Sequence, residues 1–195
     1  DKNITAILQQ SPTRIWIGTE GGGLFLYNPQ TGTIKNYSHT PKTANCISSD
    51  YVRSLALDSQ HRLWIGTINS LNIYNEQEDN FNIYTSDPLE NGSLSQMSVR
   101  NIFMDTQGGM WLGTYFGGIN YYHPLKNRFR NLQFTAKPNS LNSNIINCIR
   151  EDAQKGLWIG TNGGGVNYYN PQTGKFTHYT QKEGLGSNDV KAIYI

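Results

Sequence analysis

Four tryptophans, Trp16, Trp64, Trp111 and Trp158, divide the chain at separations of 48, 47 and 47 residues. Each sits in nearly the same phrase: Ile-Trp-Ile-Gly-Thr at 15–19, Leu-Trp-Ile-Gly-Thr at 63–67 and 157–161, and Met-Trp-Leu-Gly-Thr at 110–114. Self-similarity at a fixed period of this size means that one supersecondary unit is repeated, with neighbours completing each other's core. The register extends beyond the phrase. Ile4, Val52, Val99 and Ile146 lie twelve residues before their tryptophans, and Ile7, Leu55, Ile102 and Ile149 nine before. Asp58, Asp105 and Asp152 lie six before, with Gln10 in that place in the first copy. Tyr27, Tyr74, Tyr122 and Tyr169 follow each phrase, and seven residues later stand Ile34, Phe81, Phe129 and Phe176.

Each copy holds four short strand-like runs, typified by Val52–Leu57, Leu63–Thr67, Val166–Tyr169 and Phe176–Tyr179. Turn chemistry separates them: Asp-Thr-Gln-Gly-Gly at 105–109, Gly-Gly pairs after the tryptophan phrase in three copies, and Asn-Pro-Gln-Thr-Gly at 28–32 and 170–174. Links this short make neighbouring strands antiparallel. Leu24 and Leu26 alternate with Phe25 and Tyr27, so the strand is apolar on both faces and its sheet must be covered on both. The expected fold is all-β, made of β-propeller blades, with repeats at 1–40, 48–86, 95–134 and 142–180 and the first strand of a further blade at 187–195. In this reading Trp16, Trp64, Trp111 and Trp158 pack between blades. The glycines that follow closely (Gly18, Gly66, Gly113, Gly160) make room for a bulky neighbour. Small residues at Ala6, Ser54, Asn101, Cys148 and Ala192 suit a crowded innermost strand. The pattern restarts at Val190 and stops at Ile195, so the chain reads as part of a larger propeller. The rest would come from further blades of a parent protein or from a second copy, and an open arc of blades is expected to self-associate.

Composition narrows the function classes. The 16 basic and 14 acidic residues are scattered, with no basic run to track phosphates, so no nucleic acid is expected as a partner. No apolar stretch approaches the ~20 residues that span a bilayer, and no leader opens the chain, so no membrane contact is expected in this segment. Cys46 and Cys148 are too few for a disulfide framework and read as two small buried thiols. His39, His61, His123 and His178 lack metal-like spacing, and His123 and His178 are read as surface residues in or beside turns. The acidic cluster Glu76, Glu78 and Asp79 replaces an Asn-Pro-Gln-Thr-Gly turn and reads as a solvated turn, not a calcium loop. Asn-x-Ser/Thr sequons stand at Asn3, Asn36 and Asn91. No catalytic set, metal site or cofactor is expected.

The phrase Leu-Trp-Ile-Gly-Thr-x-x-Gly-Gly, followed by Tyr-Asn-Pro and preceded by Asp-x-x-Gly, resembles the two-component regulator propeller repeat, four times over. WD repeats end a strand in Trp-Asp, and kelch repeats place the glycine pair before the tryptophan; neither holds here. The Asp105–Gly108 turn is similar to the Asp-box of sialidase-like propellers, with one residue too many between Asp and Gly. The resemblance implies a seven-bladed propeller in the periplasmic sensor region of a Bacteroides-type hybrid histidine kinase. It further implies an oligosaccharide ligand and signalling to a kinase outside this segment, with no catalysis in the segment itself.

Blade topology gathers the loops between second and third strands at the same end as the starts of the inner strands. That rim brings Glu20, Asn69, Tyr115, Phe116 and Asn162 from loops, and Arg53, Arg100, Asn147 and Lys191 from inner strands. Aromatic faces stack on pyranose rings, while Arg and Asn supply hydrogen bonds, so these are the candidate ligand-binding residues. Two readings compete with a sensor. A propeller lyase or glycosidase would need paired acids or a Tyr/His pair at the channel. A scaffold or interaction propeller would need no small ligand.

Overall fold

All four runs of each copy are strands. The computed structural model describes residues 3–41, 43, 45–87, 89, 92–123, 129–135 and 137–195. The Asn91 sequon lies outside them. In chain order the strands are β1 (Asn3–Ser11), β2 (Arg14–Glu20), β3 (Leu24–Asn28) and β4 (Thr33–Tyr37); β5 (Val52–Leu57), β6 (Leu63–Thr67), β7 (Leu71–Asn75) and β8 (Asn80–Tyr84); β9 (Val99–Met104), β10 (Met110–Thr114), β11 (Ile119–Tyr122) and β12 (Phe129–Leu132); and β13 (Ile146–Glu151), β14 (Leu157–Thr161), β15 (Val166–Asn170) and β16 (Lys175–Tyr179). They form four four-stranded sheets, each in simple sequential order. Among the described residues a single 3-10 turn, Gln181–Glu183, is capped by Thr180 and Glu183 in a reciprocal box. The fold is all-β, and each sheet is a propeller blade.

The chain forms two compact units, Asp1–Ser86 with Met97–Ile102, and Asp87–Gln96 with Phe103–Ile195. In the first unit β5 packs against β1 and β2. Trp16, Leu24, Ile47, Val52, Leu63, Ile65, Tyr74 and Phe81 make the core, with Leu8, Leu26, Tyr37, Leu55 and Leu57 against it. Trp16 of one blade meets Tyr74 of the next edge-on, with ring centroids 5.0 Å apart, a favoured aromatic geometry. The second unit repeats the arrangement. Trp111, Ile119, Leu141, Ile146, Ile149, Leu157, Ile159 and Tyr169 form its core, and Trp111 meets Tyr169 at 6.0 Å.

Each tryptophan is also held by its own blade. The indole Nε1 donates to Asp58, Asp105 or Asp152 at 2.9, 2.8 and 3.0 Å, while the other carboxylate oxygen accepts backbone N–H groups of the turn between the first two strands. Gln10 receives only the indole of Trp16, at 2.8 Å. The nearby glycine is a place of close approach. A Cβ on Gly18 would lie 2.6 Å from Val52 Cγ1, one on Gly66 3.0 Å from Val99 Cγ1, and one on Gly160 2.9 Å from Val190 Cγ1. The bulky neighbour is thus the first apolar side chain of the following repeat.

Three local readings change. Residues 187–195 pair with no described strand; Val190 N donates to Thr161 O at 2.9 Å, and Asn188 O accepts from Gly165 N at 2.8 Å, so the segment docks on the hairpin tip without a ladder. His178 lies inside β16, with its Nε2 2.8 Å from Ser140 O, because a strand edge beside a loop carbonyl gives an imidazole a fixed partner. Cys148 is buried, and burial pushes its thiol pKa up, but Cys46 is only half-buried, its sulfur lying 3.4 Å from Thr40 O.

Candidate functional site

The hairpin tips between second and third strands are built by the threonine that ends each tryptophan phrase. Thr19, Thr114 and Thr161 donate through Oγ1 to the carbonyls of Gly23, Gly118 and Gly165, each at 2.8 Å, and Thr67 donates to Ser70 O at 3.0 Å. The same oxygens of Thr19, Thr67 and Thr114 accept from Gly22 N, Ser70 N and Gly117 N. These hydroxyls are buried, and the chain immediately after them projects outward. The inter-blade connections are fastened from below by buried asparagines: Asn72, Asn120 and Asn167 accept from Ser48 N, Ser95 N and Asn142 N at 2.9, 2.8 and 2.8 Å. Sequence reasoning gave neither set a role, although the invariant Thr of the phrase carried the signal.

Two of the inner-strand candidates, Arg53 and Asn147, sit at irregularities. The ladders of β1, β5 and β13 skip a residue between Ile4 and Ala6, Val52 and Ser54, and Ile146 and Cys148. Thr5, Arg53 and Asn147 are therefore the bulged residues, and a bulge re-aims a side chain out of the pleat.

In the first unit this brings Arg53 to Glu20, 3.4 Å apart and both partly exposed. Such a pair is worth little in stability but presents both charges together. Asn69 donates to Ser48 O at 3.3 Å. Arg100, second in β9, is half-buried.

In the second unit Tyr115 and Phe116 form an edge-on pair, centroids 4.2 Å apart, and are 41% and 58% exposed. Large rings this exposed at a hairpin tip are not core residues. Asn162 is held by its backbone, its N donating to Ile145 O at 3.0 Å and its carbonyl accepting from Ser143 Oγ at 2.8 Å. Asn147 Nδ2 donates to Val190 O at 2.9 Å, as Thr5 Oγ1 donates to Val52 O at 2.8 Å. The amide is thus spent on fastening the next segment. Lys191 pairs with Asp189 at 2.8 Å.

The acidic turn is not merely solvated. Asp79 accepts from Tyr37 Oη and Tyr74 Oη at 2.6 and 2.7 Å and pairs with Lys35; Glu76 pairs with Arg14. All but the Tyr74 contact cross from the second blade to the first, over intervals of 42 and 44 residues for Tyr37 and Lys35, which is why no local pattern announces them. Among the described residues no group of three or more His, Cys, Asp and Glu could hold a metal ion, and no helix is long and apolar enough to cross a membrane.

This architecture belongs to the β-propellers. Residues 46–69, 93–116 and 140–163 match the family model of the two component regulator propeller. Each matched stretch runs from the inter-blade connection to the hairpin tip, so it includes the rim. Histidine kinase P4 of Formosa agariphila is 32% identical over 65 residues, which are 33% of this chain and 5% of that protein. The extracellular domain assigned to a hybrid two component system of B. thetaiotaomicron superposes with a TM-score of 0.74 at 21% identity, over 89% of this chain and 23% of its own. Virginiamycin B lyase from Staphylococcus aureus shares the fold at a TM-score of 0.65 and 15% identity, over 91% of this chain and 55% of its own. This chain thus spans only a small part of the first two.

Proposed function

We propose that this chain is a ligand-sensing extracytoplasmic segment of a hybrid two-component sensor. It reads a glycan-derived oligosaccharide at the rim and signals to a histidine kinase elsewhere in the parent protein. The observation that carries the reading is the match of three successive repeats to the two component regulator propeller. The histidine kinase relative and the hybrid-system extracellular domain support the same placement. The glycan part rests on Tyr115 and Phe116, whose exposed rings offer C–H stacking faces above a rigid hairpin. A sensor needs only different affinity for two states of the receptor, so no chemical step is required of these residues.

The test is calorimetry of this chain, and of the complete extracytoplasmic region, against a panel of oligosaccharides. Saturable binding without turnover is expected, with Phe116→Ala weakening it about tenfold, roughly 1.4 kcal/mol, while the unfolding temperature holds. Product formation would replace the sensor with an enzyme. Silence across the panel would leave a scaffold.

A further inference from the structure

The two units treat the seam between adjacent blades differently. In the first unit the outer seam is closed by charge. Arg14 lies over the rings of Trp16 and Tyr74, at 5.6 and 5.9 Å, and pairs with Glu76. Lys35 pairs with Asp79, whose carboxylate also takes the hydroxyls of Tyr37 and Tyr74. Two cations thus meet two anions.

The repeat places the second unit's residues in the same frame. Gly109 stands where Arg14 does, Arg130 where Lys35 does, Leu132 where Tyr37 does, Pro171 where Glu76 does and Gly174 where Asp79 does. Tyr169 corresponds to Tyr74. Both acids and one cation are gone, and one cation remains. The backbone at the lost acid is unchanged in kind, with φ of 53° at Asp79 and 67° at Gly174.

What results is a cavity of about 300 Å³, at the lower end of small-ligand pockets. Trp111, Tyr121, Tyr169 and Leu157 wall it, and Arg130 and Lys155 supply cationic groups. Its two acids are engaged: Asp105 by Trp111 Nε1 and Gly109 N, and Glu151 by Thr106 N. Lys155 donates to Thr106 Oγ1 at 2.6 Å. The Arg130 guanidinium has no hydrogen-bond or ion-pair partner among the described residues, and its charge acts on the hydroxyls of both Tyr121 and Tyr169.

We propose that this seam binds a small carboxylate-bearing ligand. The carboxylate takes the place that Asp79 fills in the first unit, on Arg130 and Tyr169, and the ring or sugar body lies against Tyr121 and Leu132, Tyr121 packing in turn on Trp111. This site is separate from the rim and does not depend on the sensor reading.

The ligand body is tested with two carboxylates, glucuronate and 4-hydroxyphenylacetate, each against its neutral counterpart, glucose and 4-hydroxyphenylacetamide. Calorimetry and the indole NMR signal of Trp111 are the readouts. At least one carboxylate should bind about tenfold or more tightly than its neutral partner and shift the Trp111 signal; which one does so tells sugar from aromatic. Arg130→Gln should remove the preference. Gly174→Asp should restore the internal carboxylate and abolish binding while the protein stays folded. A Cβ there meets nothing within 4 Å, and Asp79 already adopts this left-handed backbone in the first unit, so the variant folds with modest backbone strain. Phe116→Ala at the rim should leave this binding unchanged. Equal binding of charged and neutral probes, no shift of Trp111 by either carboxylate, or undiminished binding in Gly174→Asp would overturn the proposal.

Discussion

Asp79 shows how much one side chain settles. The Lys35 ammonium and the Tyr37 hydroxyl hold its carboxyl well below the ordinary range, to about 2, against a small opposing push from burial; Tyr74 adds a further hydrogen bond. A folded-state value below the unfolded one, about 3.9, adds stability that is complete above that value. The contribution drains away as pH falls from about 4 through about 2. Asp58 and Asp152 act in the same direction. Burial raises each, but hydrogen bonds from indole and backbone outweigh it, joined at Asp58 by the Arg62 guanidinium. Asp79→Asn is therefore expected to cost about 1 kcal/mol near neutral pH, a modest figure because the side chain is 46% exposed. The deficit should close near pH 2, as urea titrations at the two pH values will show. Nothing local in Glu76-Gln77-Glu78-Asp79 predicted this role. An acid cluster in a turn reads as solvated unless its partners are known, and here all but Tyr74 lie in the preceding blade.

At the scale of the element, the close approach of Gly18 to Val52 makes a quantitative claim. Gly18→Ala drives a methyl into Val52 Cγ1, and overpacking of this kind costs about 1–3 kcal/mol. Val52→Ala opens a cavity and costs about 1–3 kcal/mol by itself. Combined, the two should cost clearly less than their sum, since the new methyl enters the space the valine leaves. Strict additivity in a double-mutant cycle would refute the contact. Elements were the most legible level. β5 and β6 begin and end at the residues their repeat indicated, because hydrophobic alternation and turn glycines repeat four times and errors in one copy are corrected by the others. Residues 187–195 were legible as pattern but not as structure, because a strand exists only through its partner. The hairpin tips and the strand starts were legible as positions in the repeat. What Arg53 and Asn147 do there was not, because the bulge that aims them and the carbonyl that Asn147 takes are matters of register.

At the scale of the whole molecule, each unit has its own core, and stability in repeat architectures is a sum of local and nearest-neighbour terms. Trp16 is fully buried within the first of these cores. Trp16→Ala should cost about 3–5 kcal/mol there and raise amide exchange across β1 to β8, while β13 to β15 keep their protection. Loss of protection to the same extent in both regions would mean that the units open as one.

The threonine at the end of each tryptophan phrase has an evolutionary corollary. Thr114 ties both legs of its hairpin from inside the sheet, bonding to Gly117 and Gly118 across residues 115 and 116. If the proposed rim reading holds, a lineage could rewrite those two codons and alter what that tip contacts without renegotiating how the chain folds.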